Sequence, residues 1–183
     1  MRIVITGSPG TGKSAVAKLL AKKMKLELVD IKDIVEKNNL AEGPEHEVDI
    51  KKLASAMEFL EEKDDYVVEG HLACEFRIPA DFIFILRADP EILKQRLAGR
   101  KYNKKKLNEN LMAEMLDYCT QRTENVYPKK PLELDTSERT VKECVSAMED
   151  AIKHNKKKLD SVNYSESLAH MLEVKYEGRA KTD

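Results

Sequence analysis

The sequence predicts a three-layer α/β fold, a five-stranded parallel sheet covered by helices on both faces. Five short apolar runs alternate with stretches of helical periodicity, the runs are rich in β-branched residues, and a glycine-rich turn joins the first run to the first helix. At 183 residues and 20.9 kDa the chain has room for one core, expected over residues 1–155, with a basic linker and short helix over 156–183.

The first strand, Arg2–Thr6, rests on Ile3, Val4 and Ile5 and leads into the turn. The first helix follows over Lys13–Met24, with Val16, Leu19, Leu20 and Met24 on one face. The second strand is Glu27–Asp30. Two helical segments come next, over 31–38 and 48–63, split by the breaker stretch Ala41, Glu42, Gly43 and Pro44, so this insertion is longer than a simple crossover. Tyr66–Glu69 and 82–86 form the third and fourth strands. Asp89 and Pro90 supply an N-cap and a first-turn proline for a helix running through Ile92, Leu93 and Leu97 to Gly99. After a basic loop, Leu111, Met115 and Cys119 mark one stripe of a helix over 107–125, and Leu132–Asp135 is the fifth strand. The last core helix carries Val141, Cys144, Val145, Met148 and Ile152 and opens on a capping box, Thr140 with Glu143. Past His154 come Lys156, Lys157 and Lys158, then an amphipathic pattern at Leu168, Met171, Leu172 and Tyr176. It suits a docking helix, for which this domain, a second copy or a partner all stand as surfaces.

Charge excludes some functions. The 32 basic and 33 acidic residues nearly cancel, so no global field draws the chain to nucleic acid or a membrane. Three cysteines, Cys74, Cys119 and Cys144, without C-x-x-C spacing argue against a disulfide framework or zinc site and fit a reducing cytoplasm. The chain enters its first strand at once, without a signal peptide, and no apolar stretch nears the roughly twenty residues that span a bilayer, so no membrane association is expected.

The turn is a phosphate cradle. Residues 7–14 read Gly-Ser-Pro-Gly-Thr-Gly-Lys-Ser, the G-x-x-x-x-G-K-S pattern, between the strand and helix that it demands. Backbone N–H groups turn inward, Lys13 brings a cation to the outer phosphates, Ser14 offers a hydroxyl to Mg²⁺, and the helix N-terminus favours the same anion. Gly10, Thr11, Gly12, Lys13, Ser14 and Ala15 are the candidate ATP-binding residues; a ligand-free tight turn is the competing reading. The fold class is therefore that of a P-loop NTPase. The chain has no N-K-x-D, which disfavours a guanine-specific GTPase.

In a doubly wound sheet, ligands lie beyond the carboxyl ends of the strands. The third strand ends in Glu69, Gly70 and His71. Glu69 is a candidate catalytic carboxylate and, with Ser14, Mg²⁺ ligand, against the alternative of a solvated strand-end acid. His71 suits positioning of water or substrate, or a structural hydrogen bond. Arg96 and Arg100, four residues apart at a helix exit, suit a clamp on the transferring phosphoryl group, or compensation of the helix dipole. Residues 100–106 hold five cations and read as a lid over 99–109, a solvated loop or an RNA-contacting patch. The insertion is the natural acceptor flap, about residues 30–53. Segment 31–63 contains no arginine, leaving Lys32, Lys37, Lys51 or Lys52, aided by Arg77, to hold an acceptor phosphate. Asp30 and Asp33 can bond a ribose or hydroxyl substrate, or Asp30 can cap the next helix. Asp135, Thr136 and Ser137 can present backbone groups to the adenine or start the following helix.

Over most of residues 1–154 the chain resembles the adenylate kinase isoenzyme six family of small P-loop kinases. The likeness rests on Val68-Glu69-Gly70-His71, similar to that family's carboxylate-x-His strand end, where its aspartate is Glu69 here. It rests above all on Arg100-Lys101-Tyr102-Asn103-Lys104-Lys105-Lys106-Leu107, close to its lid pattern R-x-Y-N-x-K-K-L. The resemblance implies a nucleoside-monophosphate-kinase-like flap and lid, and ATP on Gly10, Gly12, Lys13, Ser14, Ala15 and Arg100. It also implies AMP kinase activity paired with ATPase activity, and binding of ribosomal protein S-eleven during small-subunit rRNA maturation, with transient pre-ribosome contact. The tail after His154 lies outside it.

Overall fold

Strands form where the apolar runs lie: β1 (Arg2–Thr6), β2 (Glu27–Asp30), a short β3 (Ala41–Glu42) and β4 (Glu47–Val48), then β5 (Tyr66–Glu69), β6 (Phe82–Arg87) and β7 (Leu132–Asp135). The helices between them are α1 (Lys13–Met24), α2 (Ile31–Lys37), α3 (Ile50–Ala56), α4 (Pro90–Ala98), α5 (Lys104–Met115), α6 (Tyr118–Val126), α7 (Val141–Lys153) and α8 (Ser165–Ala180). The structure, a computed structural model, describes residues 1–43, 47–99 and 102–180.

The main sheet is five-stranded and parallel, ordered β2-β5-β1-β6-β7. Its fold is the expected three-layer α/β arrangement of a P-loop NTPase. Alternate residues of β1 point to opposite faces, and each face has its own core. Ile3 and Ile5 lie with Val67, Phe84 and Leu134 against α1 and α7, through Val16, Leu20, Val145 and Met148. Val4 joins Val29, Val68 and Ile83 on the other face with Ile31, Leu53, Met57 and Leu60. Burial of both faces explains why these strands read as continuous apolar runs. The chain leaves β1 toward β2 on one side and later adds β6 and β7 on the other, opening a crevice beyond β1.

The structure departs from the sequence reading in three places. The helix expected over 48–63 is shorter: Glu47–Val48 pairs antiparallel with Ala41–Glu42, and Asp49 starts α3 by accepting from the N–H groups of Lys51 (2.8 Å) and Lys52 (3.3 Å). After α3 a single 3₁₀ turn, Glu58–Leu60, completes the segment. The helix expected over 107–125 is two helices, because the chain breaks at Asp117, whose φ of 54° is left-handed and whose carboxylate lies 2.5 Å from an Arg87 nitrogen. The third departure is at the start of α5: Asn103 caps it through the Lys106 N–H (2.8 Å), so its first turn occupies part of the expected lid. The tail docks on its own domain, with Leu168 and Met171 against Leu93, Leu97, Leu111 and Met115.

Candidate active site

The loop between β1 and α1 is tied to itself. The carbonyl of Ser8 accepts from the Thr11 N–H (3.3 Å), the Thr11 hydroxyl (2.9 Å) and the Lys13 ammonium (3.0 Å). Lys13 is thereby held, largely buried, at the start of α1. Gly10 has a φ of 96°, and a Cβ there would lie 2.7 Å from Leu93 and 2.9 Å from Leu97, so α4 packs directly on the loop backbone.

Parallel pairing sets the two strand-end carboxylates side by side: Asp30 and Glu69 are Cα partners across β2 and β5. A Cβ at Gly70 would come 2.7 Å from the Ile31 Cβ, so glycine lets the exit of β5 run against the start of α2. Glu69 is 4% exposed. Burial raises its pKa, a hydrogen bond from the Ser14 hydroxyl opposes the rise, the Asp30 charge adds to it and Lys13 opposes it. Asp30 also caps α2, accepting from the Lys32 N–H at 2.8 Å, the second of the roles its position in the sequence allowed. Two carboxylates and a hydroxyl at one spot form a hard-oxygen donor set that fits Mg²⁺. Among the described residues no cluster of three or more His, Cys, Asp or Glu could hold a metal ion.

His71 opens on the same space at the head of a 3₁₀ turn, His71–Cys74. His71 keeps an exposed side toward the cleft, while partial desolvation, then the charges of Lys13 and Lys106, lower its pKa to about 4, so it is neutral at pH 7. One cleft of about 870 Å³ brings Gly10, Gly12, Lys13, Ser14 and Ala15 together with Asp30, Glu69 and His71. Thr11 is buried behind it, bonded to Ser8. Asp33 and Arg77 are exposed and do not line it. Arg100 lies outside the described residues.

Arg96 points elsewhere than at the cleft. Its guanidinium donates to the Thr136 hydroxyl (3.0 Å), the Thr136 carbonyl (2.6 Å) and the Ser137 carbonyl (3.1 Å). The Thr136 hydroxyl lies 3.0 Å from the Thr11 carbonyl and 2.9 Å from that of Arg87, so Arg96 holds the segment after β7 against the phosphate loop. Sequence reading missed this hub, and also Arg87. That side chain is 1% exposed and donates to Glu114 (2.7 Å), Asp117 (2.5 Å), Glu133 (2.5 Å) and Thr120 (3.2 Å), with the Tyr164 ring 5.3 Å from its guanidinium carbon. Burial works against its charge, and the carboxylates outweigh burial, so its pKa rises. The available signal was a lone arginine ending an apolar run.

Known proteins resemble this chain in sequence and in fold. Residues 3–117 match a family model described as an AAA domain. A protein named "Putative adenylate kinase" from Methanocaldococcus jannaschii is 35% identical over 172 residues, covering 91% of this chain and 94% of that protein. One of the same name from Pyrococcus abyssi is 38% identical over 173 residues, covering 91% and 92%. Among solved structures, shikimate kinase from Acinetobacter baumannii in complex with shikimate superposes with a TM-score of 0.64 at 18% identity, covering 85% of this chain and 94% of that one, a likeness of fold. The fold is thus that of P-loop kinases, and the chain belongs to the AAA-domain family together with these archaeal relatives that carry the adenylate kinase name.

Proposed function

We propose that the protein transfers the γ-phosphoryl group of ATP to AMP with Mg²⁺, giving two ADP. The observation that carries this reading is the cleft in which the phosphate loop meets buried Glu69, its half-buried neighbour Asp30 and an apolar acceptor side. The relatives' names support it.

Lys13 exchanges the neutral Ser8 carbonyl for phosphate oxygens, so that an ammonium with a neutral acceptor gains an anionic one. The amides at the start of α1 face the same anion. Ser14, Glu69 and Asp30 would hold Mg²⁺, which supplies charge neutralisation across the phosphates. Neutral His71 can accept a proton or orient the attacking group. Arg100 and Lys104–Lys106 close the phosphate side as a lid over 99–109, and residues 30–53 form the acceptor flap, with Lys32 the cation that lines the cleft from it among the described residues. Asp30, which lines the cleft, orients the acceptor's hydroxyls, a role that Asp33 and Arg77 do not share from their places outside it. Catalysis is position and charge with no covalent intermediate. The test is ADP production from ATP and Mg²⁺ with and without AMP: a large AMP-dependent rate is expected, and a rate equal to the AMP-free one overturns the reading.

A second reading, ATP hydrolysis coupled to small-subunit rRNA maturation through ribosomal protein S-eleven in the cytoplasm, is favoured by the arginine-free segment 31–63. Lysine lacks the bidentate fork that grips a phosphate, which weakens an acceptor phosphate site and leaves water as the competing acceptor. Co-precipitation with S-eleven in the presence and absence of ATP tests it, and no binding in either condition removes it.

A further inference from the structure

The acceptor half of the cleft has chemistry that the phosphate half lacks. Its flap side is apolar, built from Ile31 and Val35 of α2 and from Ala41 and Val48 of the β3–β4 hairpin, and Leu72 continues that surface after β5. Tyr102 lines the same cleft from the other side of the phosphate loop in sequence, one residue before the Asn103 cap of α5. The residue is 39% exposed. The other exposed aromatic rings among the described residues have partners: Phe59 lies under the Lys63 ammonium at 5.8 Å, and the Tyr118 hydroxyl donates to Glu75 at 2.7 Å. Tyr102 instead lines a cavity whose flap wall is aliphatic. A planar heterocycle fills such a slot, because one face stacks on the ring and the other covers methyl groups.

We propose that Tyr102 is a specificity-determining residue that stacks on the base of the acceptor nucleotide, pressing it against Val35, Ala41 and Val48. The inference rests on the acceptor reading above and adds a residue and a ligand chemistry to it. Stacking tolerates any purine, since each presents a π-face, so this wall selects a base over a base-free acceptor. The Asn103 cap ties Tyr102 to the first turn of α5, whose Lys106 also acts on His71, so base recognition and the phosphate side share one element.

Three variants test it. Tyr102→Ala is expected to raise the KM for AMP about tenfold, more than the KM for ATP, whereas Tyr102→Phe keeps the ring and stays within about twofold of the unsubstituted protein. Tyr102→Trp places the first tryptophan in a chain that has none. Its fluorescence should be quenched saturably by AMP and left unchanged by ribose 5-phosphate. An unaltered KM for AMP in Tyr102→Ala, or equal quenching by the base-free sugar phosphate, overturns the inference while leaving AMP phosphorylation standing. Saturable quenching by AMP with no AMP-dependent ADP from the unsubstituted protein upholds the stacking wall and overturns the transfer. Neither turnover nor quenching overturns both.

Discussion

Glu69 is held at the cleft against its own preference, since burial and the adjacent Asp30 favour its protonated form. The stability that follows from a raised carboxyl pKa is present below the unfolded value and lost as pH rises through the folded one. Glu69→Gln removes that loss, so at pH 7 to 8 the variant should melt at a higher temperature than the parent, while Mg²⁺-dependent turnover falls. His71 behaves in the opposite sense. Its folded value of about 4 lies below the ordinary 6.5, so the unfolded chain binds the proton more readily and stability declines as pH drops from 6.5 toward 4. In an NMR titration the His71 ring should titrate near 4 in the free protein and higher with polyphosphate in the cleft. Lys13→Ala should cut turnover by about 10²–10³ and leave the circular dichroism spectrum unchanged. Lys13, Ser14 and Glu69 were legible in the sequence because local spacing fixes them at a strand end or helix start. The destination of Arg96 was not, since its partners Thr136 and Ser137 lie 40 and 41 residues away and only the packing of α4 beside β7 brings them together.

At the scale of elements, α5 begins with a contradiction. Lys104, Lys105 and Lys106 occupy the first turn, with no acidic residue among them, where the helix dipole disfavours cations. Glu109 offsets part of this, 3.9 Å from Lys105 and 3.4 Å from Lys106. A bound polyphosphate would offset the rest, which is a physical reason for such a turn beside a nucleotide cleft. Lys104→Glu, which spares both contacts to Glu109, should stabilise the nucleotide-free protein by about 0.3–1 kcal/mol and weaken ATP binding, as paired melting and titration experiments would show. Element ends with strong local chemistry were readable, as at α7, where Thr140 and Glu143 form the expected capping box. The break between α5 and α6 was not, because the apolar stripe through Leu111, Met115 and Cys119 continues across it. Only the buried pull of Arg87 on Asp117 reveals the interruption.

Across the molecule, Arg87 joins α5, the α5–α6 turn, β7 and the approach to α8 through Glu114, Asp117, Glu133 and Tyr164. Arg87→Ala leaves buried Glu114 uncompensated and should cost about 3–5 kcal/mol in a denaturant titration. The sheet and its covering helices were legible because two-sided burial writes unbroken apolar runs and 3.6-residue stripes into the chain. This network was not, because each of its charges also suits a surface position when read alone. Everything functional depends on the phosphate loop gripping a nucleotide beside the two strand-end carboxylates. Calorimetric titration with Mg-ATP tests that most directly: saturation at one site per chain, weakened at least about tenfold in Lys13→Ala, is the expected result. A titration without saturation, or one that Lys13→Ala leaves unchanged, would contradict it.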